Sequence, residues 1–450
     1  MIAAGRVLLE GTERLRGSRA LRLYAELRAA PRASPEAAAA GQLGRLSRLL
    51  AHAERNVPYY RALFRELGIR ARDVRTLADF ARLPVLTKEI IRARHAELVR
   101  EDVPRGTLVE HHSGGSTGVP LTFLSERAYL DASEAGTYRN LAQCGWRPGE
   151  MVAFFWGWNA RLEKMPRWEF ELRQWARRAW QFSAFDAGPE RMDRWVDTWQ
   201  RIRPRAALGY ASTLARFAAH VERSGRRIAL PRGVFTTAET LFPGQRKTLE
   251  RVFGCAVYDC YGSSEVRNIA SQCAHGGMHV NSDFVVLETE GAAAPGEAGQ
   301  PFLVTSLWNY GMPFIRYRNE DCGALAEGGC ACGSGFPRMR MGVSRVNDNF
   351  PLPDGRVVHG LFFTYLLYGG EGIDNFQFHQ TAADRITLWI VARPGAAEGA
   401  ARTVRGAVER IRGLHPAMEV EVREVDAIPP TPAGKHRYTR TELSVAPREG

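Results

Sequence analysis

Between residues 151 and 259 short apolar runs alternate with amphipathic stretches, and this alternation narrows the possible folds more than any other feature of the chain. Met151 to Trp156 is a continuous apolar run of strand length, whereas Met192, Trp195, Val196, Trp199 and Ile202 fall on one face of a helix. Ala206-Ala207-Leu208-Gly209-Tyr210 reads as a strand, after which Ser212 is expected to cap a helix ending near Gly225. Gly233 to Glu239 reads as a strand running into a loop, Gln245 to Phe253 as a helix, and Ala256 to Asp259 as another strand. Strands apolar on both faces need cover on both sides, so the pattern implies an α/β domain with a largely parallel sheet.

The flanking regions read differently. Residues 1 to about 40 suggest a helix and then a loose connection through Ala30-Pro31-Arg32-Ala33-Ser34-Pro35 and an alanine run. Leu43, Leu46, Leu50 and Ala53 mark an amphipathic helix ended by Asn56-Val57-Pro58; Tyr59-Tyr60 and Leu63-Phe64 begin a shorter one, and Thr87 is placed to cap a third. Beyond residue 279, Phe284 to Glu290 and Pro301 to Leu307 read as strands of a β-rich subdomain. From Arg345 the strand candidates Ile386 to Ala392 and Val420 to Val425 flank a helix around Ala401 to Ile411. That is an α+β module of about 100 residues, large enough for its own core.

Composition excludes some classes. No apolar run approaches the roughly 20 residues needed to span a bilayer, and Glu10 and Glu13 interrupt any signal-peptide core at the N-terminus. Seven cysteines are too few and too odd in number for a secreted disulfide framework, so a cytoplasmic protein is expected. The net charge of +12 is carried by scattered arginines without a nucleic-acid motif; it suits polyanionic ligands such as ATP and coenzyme A, and no nucleic-acid partner is expected.

Five stretches carry candidate chemistry. The hydroxyls of Ser113, Ser116 and Thr117 stand among Gly114, Gly115 and Gly118, a composition whose backbone and side-chain donors can wrap a phosphate. No Gly-Lys-Ser/Thr follows, so this is not a Walker loop; an ordinary surface loop is the alternative. Tyr261-Gly262-Ser263-Ser264-Glu265 follows a strand, where open α/β sheets bind ligands. Arg316 to Asp321 ends in an aspartate, Ser344-Arg345-Val346-Asn347-Asp348 lies at the expected domain boundary, and Pro429 to Lys435 presents a lysine on a stiff loop.

In this order the stretches resemble the adenylate-forming enzymes, specifically the phenylacetate–coenzyme A ligase family with its capsule-associated relatives. Asn56-Val57-Pro58-Tyr59-Tyr60 and Leu83-Pro84-Val85-Leu86-Thr87-Lys88 add to the likeness. The resemblance implies a large N-terminal adenylation domain over residues 1–344, with 1–100 as a helical entry segment, and a small mobile C-terminal domain over 345–450. It implies ATP-dependent activation of an aryl or otherwise apolar carboxylic acid to an acyl-adenylate, release of pyrophosphate, and transfer to coenzyme A. An amine or a carrier-protein thiol as acceptor is the alternative within the enzyme class; a non-catalytic nucleotide-binding scaffold is the alternative outside it. A homodimer is compatible with either.

Carried over by position, Ser113, Gly114, Gly115, Ser116, Thr117 and Gly118 hold the β- and γ-phosphates. Tyr261 stacks on adenine beside Gly262 and Ser263, with Glu239 also in the nucleotide set. Glu265 holds Mg²⁺, Asp321 the ribose hydroxyls, and Arg345 ribose or phosphate, while Lys435 bridges the attacking carboxylate and the α-phosphate. A carboxylate attacking a phosphate brings anion to anion, which explains the cations. Taken singly, Lys435 reads as a solvated lysine and Glu265 as a helix N-terminal carboxylate. The chain departs from the family pattern at Val119, where relatives carry lysine, and at Glu320, Ser344 and Asn347.

Trp156, Trp158 and Tyr210 lie at predicted strand ends and are candidates to line the acyl pocket. Trp195 and Trp199 are spaced for a helix core rather than for stacking on single-stranded nucleic acid. Cys273, His279, Cys330 and Cys332 match a Cys/His arrangement of the capsule-associated relatives and are expected to form a closed structural zinc site. His275 could replace His279, and Cys322 is a weaker competitor.

Overall fold

The parallel part of the sheet arises as the apolar runs require, each strand buried between helices. The structure, a computed structural model, describes residues 2–112, 121–156, 165–184, 189–291, 299–345, 349–367, 370–429 and 437–443. The chain divides into two compact units, Met1–Ala292 with Phe302–Asn319 and Ala324–Arg340, and Ala293–Pro301 with Glu320–Gly323 and Met341–Gly450.

In the first unit the helices Ile2–Leu15 and Ala20–Leu27 precede a long helix, Pro35–Asn56. The alanine run therefore belongs to that helix and is no loose connection. Ser34 accepts a hydrogen bond from the Ala37 amide and Pro35 occupies the first turn, while alanine is the strongest helix former. Thr87 caps the helix Lys88–Ala93 as expected. Strand β1 (Val109–His112) pairs antiparallel with β2 (Thr122–Ser125), His112 opposite Thr122. Residues 113–120 follow β1 in sequence and lie outside the described residues.

Strands β3 (Val152–Trp156), β4 (Ala179–Ser183), β5 (Ala206–Tyr210), β6 (Gly233–Thr237) and β7 (Ala256–Tyr261) are parallel, in the order β4-β3-β5-β6-β7. The strands expected in a β-rich subdomain extend this same sheet. They are β8 (Ala270–Gln272), β9 (Met278–Val280), β10 (Val285–Thr289), β11 (Gln300–Ser306), β12 (Tyr317–Ala326) and β13 (Arg338–Arg345), ordered β7-β8-β9-β13-β12-β11-β10. The pairings β7–β8, β8–β9, β9–β13 and β10–β11 are antiparallel.

One face of the parallel strands packs Phe155, Phe182, Trp195, Trp199 and Phe217 into an aromatic core. Trp199 is fully buried, and its Nε1 donates to the Ala229 carbonyl at 2.7 Å. The tryptophans of the helix Pro189–Ile202 are thus core residues. Gly209 sits where β5 presses on β3, and a Cβ there would lie 2.5 Å from the Phe155 carbonyl oxygen.

The second unit holds the two-stranded sheet β14 (Asn349–Pro351) and β15 (Val357–His359) and a four-stranded sheet. The latter comprises β16 (Ile373–Ala382), β17 (Arg385–Ala392), β18 (Glu419–Glu424) and β19 (Thr439–Thr441), in the order β18-β17-β16-β19. The helix Ala397–Arg412 buries Ala400, Val404, Ala407 and Ile411 in a core shared with Phe350, Phe363 and Phe378. No described helix is long and apolar enough to cross a membrane.

Gly209→Ala is expected to destabilise the first unit by about 1–3 kcal/mol, because the added methyl meets backbone that cannot swing aside. Urea unfolding of the two proteins measures the difference.

Candidate active site and Cys/His cluster

The C-terminal ends of β3, β5, β6 and β7 deliver most of the sequence-predicted residues that are described. Tyr261 ends β7; its hydroxyl oxygen accepts a hydrogen bond from Asn319 Nδ2 at 2.7 Å, and its ring lies 6.1 Å from that of Phe302. Ser263 closes the next turn twice, its amide donating to the Val266 carbonyl at 2.8 Å and its Oγ accepting from the Val266 amide at 3.0 Å. Gly262 fits under this turn because a Cβ would approach the Asn268 nitrogen to 3.1 Å.

Beneath the turn, the buried Tyr129 hydroxyl donates to the Glu265 carbonyl at 3.3 Å and accepts from the Arg267 amide at 3.0 Å. Asn268 has φ +54°, and its Nδ2 donates to the Ser133 carbonyl at 2.9 Å. The main chain from 263 to 268 is therefore held at both ends and in the middle. Glu265 is only 7% exposed and brings a carboxylate to this strand end. A carboxylate at such a strand end is an oxygen donor of the kind a hard cation prefers.

Glu239 follows β6, and its Oε2 accepts from the Ser212 amide at 2.8 Å in the first turn of the helix Ala211–Ser224. Tyr210, not Ser212, occupies the cap position of that helix. The glutamate satisfies an amide that the missing side-chain cap leaves open, a placement the helix dipole favours. Tyr210 is buried and its ring centroid is 4.9 Å from that of Trp156, which is 39% exposed, so the pair forms an aromatic surface across the ends of β5 and β3. Asp321 is buried on β12, just after Glu320, whose φ of +67° is the left-handed conformation that glycine adopts without strain. Arg345 ends β13. Ser113 to Gly118, Trp158 and Lys435 lie outside the described residues, as does Arg345's side chain.

Two residues that the sequence reading did not single out support this region. Tyr129 is one; nothing in its local pattern separates it from an ordinary core tyrosine. The other is His111, next to the glycine-rich stretch on β1. Its ring stacks on Phe123 at 5.1 Å, and its Nε2 is 2.7 Å from Ser125 Oγ. Burial, and then the positive charge of Arg267, push its pKa down from 6.5 to about 4, so it is neutral at physiological pH.

A second cluster forms away from these strand ends. The ligand atoms of Cys273, His279, Cys330 and Cys332 all lie within 4.8 Å of one another. Cys273 Sγ is 3.7 Å from Cys330 Sγ, and Cys332 Sγ is 3.3 Å from His279 Nε2. Tetrahedral zinc with its usual bond lengths sets about 3.8 Å between two sulfurs and about 3.5 Å between sulfur and nitrogen. The Phe336 carbonyl accepts a hydrogen bond from His279 Nδ1 at 3.0 Å, which leaves Nε2 facing the sulfurs with its lone pair. Gly277 leaves the space open, since a Cβ would stand 2.9 Å from Cys330 Sγ. The Cys332 amide pulls the Cys330 thiol down toward the thiolate. His275 is exposed, and neither it nor Cys322 belongs to this group.

No family model matches the chain. Protein CapK of Staphylococcus aureus is 21% identical over 407 residues, 86% of this chain and 85% of that protein. A phenylacetate–coenzyme A ligase of Thermus thermophilus is 27% identical over 319 residues, 68% of this chain and 69% of that protein. Among solved structures, 2-hydroxyisobutyryl-CoA ligase in its postadenylation state shares the fold with a TM-score of 0.73 at 21% identity, covering 92% of this chain and 91% of that one.

Because the folded state resists protonation of His111 and the unfolded state does not, stability is expected to fall as pH drops from about 6.5 to about 4. His111→Gln keeps a partner for Ser125 without the titration. It should remove about 1–2 kcal/mol of that loss, after allowance for solvent screening of a half-buried ring. Denaturant unfolding at a series of pH values reads the difference.

Proposed function

We propose that this chain, whose sequence and fold are those of the phenylacetate–coenzyme A ligase family of adenylate-forming enzymes, activates a carboxylic acid with ATP and passes the acyl group to coenzyme A. The observation that carries this reading is the placement of Tyr261, Gly262, Ser263 and the Glu265 carboxylate on a main chain fixed just beyond the end of a parallel strand. Ligands in open α/β sheets gather at such ends.

In the first half-reaction the acid's carboxylate oxygen attacks the α-phosphorus, and the bond to the bridging oxygen of pyrophosphate breaks. Tyr261 offers its ring face to adenine while Asn319 fixes its hydroxyl. Asp321 accepts hydrogen bonds from the ribose, and Ser113 to Gly118 donate to the phosphates, with Arg345 as a further cation. Glu265 is an oxygen ligand of the kind Mg²⁺ prefers. Mg²⁺ held there would supply positive charge near the departing pyrophosphate. Lys435 draws the two anionic reactants together by pairing with both. The Trp156–Tyr210 stack supports an aryl or otherwise apolar acid. Glu239, held by the Ser212 amide, steadies the helix that begins beside that stack.

Zinc fits the Cys273, His279, Cys330 and Cys332 set on distances, donor type and tautomer, with four protein ligands and no position left for a substrate. The proposed role is structural, tying β9 and the Cys330–Cys332 turn together. Seven cysteines without a disulfide support a cytoplasmic location.

Acid-dependent exchange of labelled pyrophosphate into ATP tests the activity across a panel of acids, with coenzyme A then added to detect the thioester. Lys435→Ala should lose at least about 100-fold of the exchange while still binding ATP; unchanged exchange removes Lys435 from the chemistry. For the metal, elemental analysis should find zinc at about one ion per chain. Cys330→Ser should lose the metal and lower the melting temperature, whereas metal-free, fully folded wild-type protein contradicts the assignment.

A further inference from the structure

Adenine is proposed to lie against Tyr261, so its affinity depends on whatever fixes that residue. Strand β6 pairs with β7 only as far as Cys260, opposite Thr237. On the other side, β8 pairs Ser271 with Cys260 and Ala270 with Tyr261. Among the described residues, Ala270 is therefore the one ladder partner of Tyr261. Strand β8 is three residues long and forms a hairpin with β9, with Ala270 opposite Val280, Ser271 opposite His279 and Gln272 opposite Met278. A hairpin so short is not stable by itself, and β13 pairs with it over only two residues, Arg338 and Met339. Its tip is the turn from Cys273 to Gly277, where the Cys273 amide donates to the Gly277 carbonyl at 2.9 Å. Cys273 and His279, on either side of that turn, both belong to the Cys/His cluster.

One side chain joins this tip to β7. Beyond Ser271 the pairing of β8 with β7 stops, and Gln272 continues it with its side chain, Oε1 accepting from the Asp259 amide at 3.2 Å. The same oxygen accepts from Arg246 Nη2 at 2.6 Å, on the helix Pro243–Phe253. Gln272 Nε2 donates to the Gly276 carbonyl at 3.0 Å, inside the turn between the two cluster residues. A carboxamide supplies the acceptor and the donor that these contacts need on one planar group. Zinc held by Cys273, His279, Cys330 and Cys332 would fix the tip against the Cys330–Cys332 turn, since metal binding orders the segments that carry its ligands. His279 stands two strands from Cys260, about 10 Å at the usual strand spacing. Order at the tip thus reaches β7 by two routes, the β8 ladder and the Gln272 amide.

We propose that the β8–β9 hairpin positions Tyr261 for adenine, and that Gln272 transmits metal loading of the Cys/His cluster to that residue, so that zinc binding and nucleotide binding strengthen each other. The proposal rests on the adenine and zinc assignments made above. It makes Gln272 a positioning residue, acting through β7 rather than on the nucleotide or the metal directly.

Titration calorimetry with AMP tests this, because AMP binding needs no Mg²⁺ and so tolerates the chelator that removes zinc. Removal of zinc from wild type should weaken AMP binding about 10-fold. Gln272→Ala, isolated with its full zinc content, should show that loss already and change little when zinc is removed. Gln272→Glu, which keeps the acceptor for the Asp259 amide and Arg246, should recover part of the affinity. In the zinc-loaded proteins, hydrogen exchange of the 261–267 amides should be about 10-fold faster in Gln272→Ala, with β3 and β5 unchanged and the melting temperature near that of wild type. This zinc-loaded comparison decides by itself where chelation unfolds the protein. Zinc-loaded Gln272→Ala with wild-type AMP affinity and wild-type exchange overturns the proposal and leaves both assignments standing. Faster exchange throughout the first unit, with a lower melting temperature, also overturns it, as the mark of a general structural residue. Folded wild type that binds AMP equally with and without zinc does the same. Wild type that binds no AMP defeats the nucleotide assignment, and wild type purified folded and free of zinc defeats the metal assignment; each takes this proposal with it.

Discussion

The Tyr129 hydroxyl holds the segment after β7 by donating to the carbonyl of Glu265 and accepting from the amide of Arg267. Fixing the backbone on both sides of Glu265 holds its carboxylate in one place beyond the end of β7. One phenol, buried on the first turn of the helix that follows β2, makes both bonds and brings no charge.

The same helix links the two halves of the proposed nucleotide site in the first unit. β2 runs directly into it, so the stem of the glycine-rich stretch and the Tyr261–Arg267 segment are positioned by one continuous piece of chain. Behind them, the aromatic core of Phe155, Phe182, Trp195, Trp199 and Phe217 keeps the parallel strands level, and Gly209 lets β5 sit close enough to β3 for Tyr210 and Trp156 to stack. Packing remote from the chemistry thereby sets the spacing of the residues at the strand ends.

Much of this was legible in the sequence because burial leaves a periodic trace. The runs that read as strands at 151–156, 206–210, 233–239 and 256–259 form β3, β5, β6 and β7, and the Met192–Ile202 spacing marks one helix face. The alanine run at 37–40 reads as a linker because low side-chain complexity resembles one, whereas Ser34 and Pro35 make it a helix start. The unity of the eleven-stranded sheet was hidden as well, since edge-to-edge pairing between distant strands has no local signature. Within the site, residues in motifs were visible and their supports were not. Tyr129 and His111 act through long-range contacts that no spacing rule encodes, and so does the Phe336 carbonyl that orients His279, the histidine the sequence pattern already favours over His275.

A crystal structure with a non-hydrolysable acyl-adenylate analogue tests the central claim most directly. Adenine against the Tyr261 ring, the ribose on Asp321, and the acyl group leading toward Trp156 and Tyr210 is the arrangement this account requires. An analogue bound elsewhere, with Tyr261 and Glu265 untouched, would contradict it.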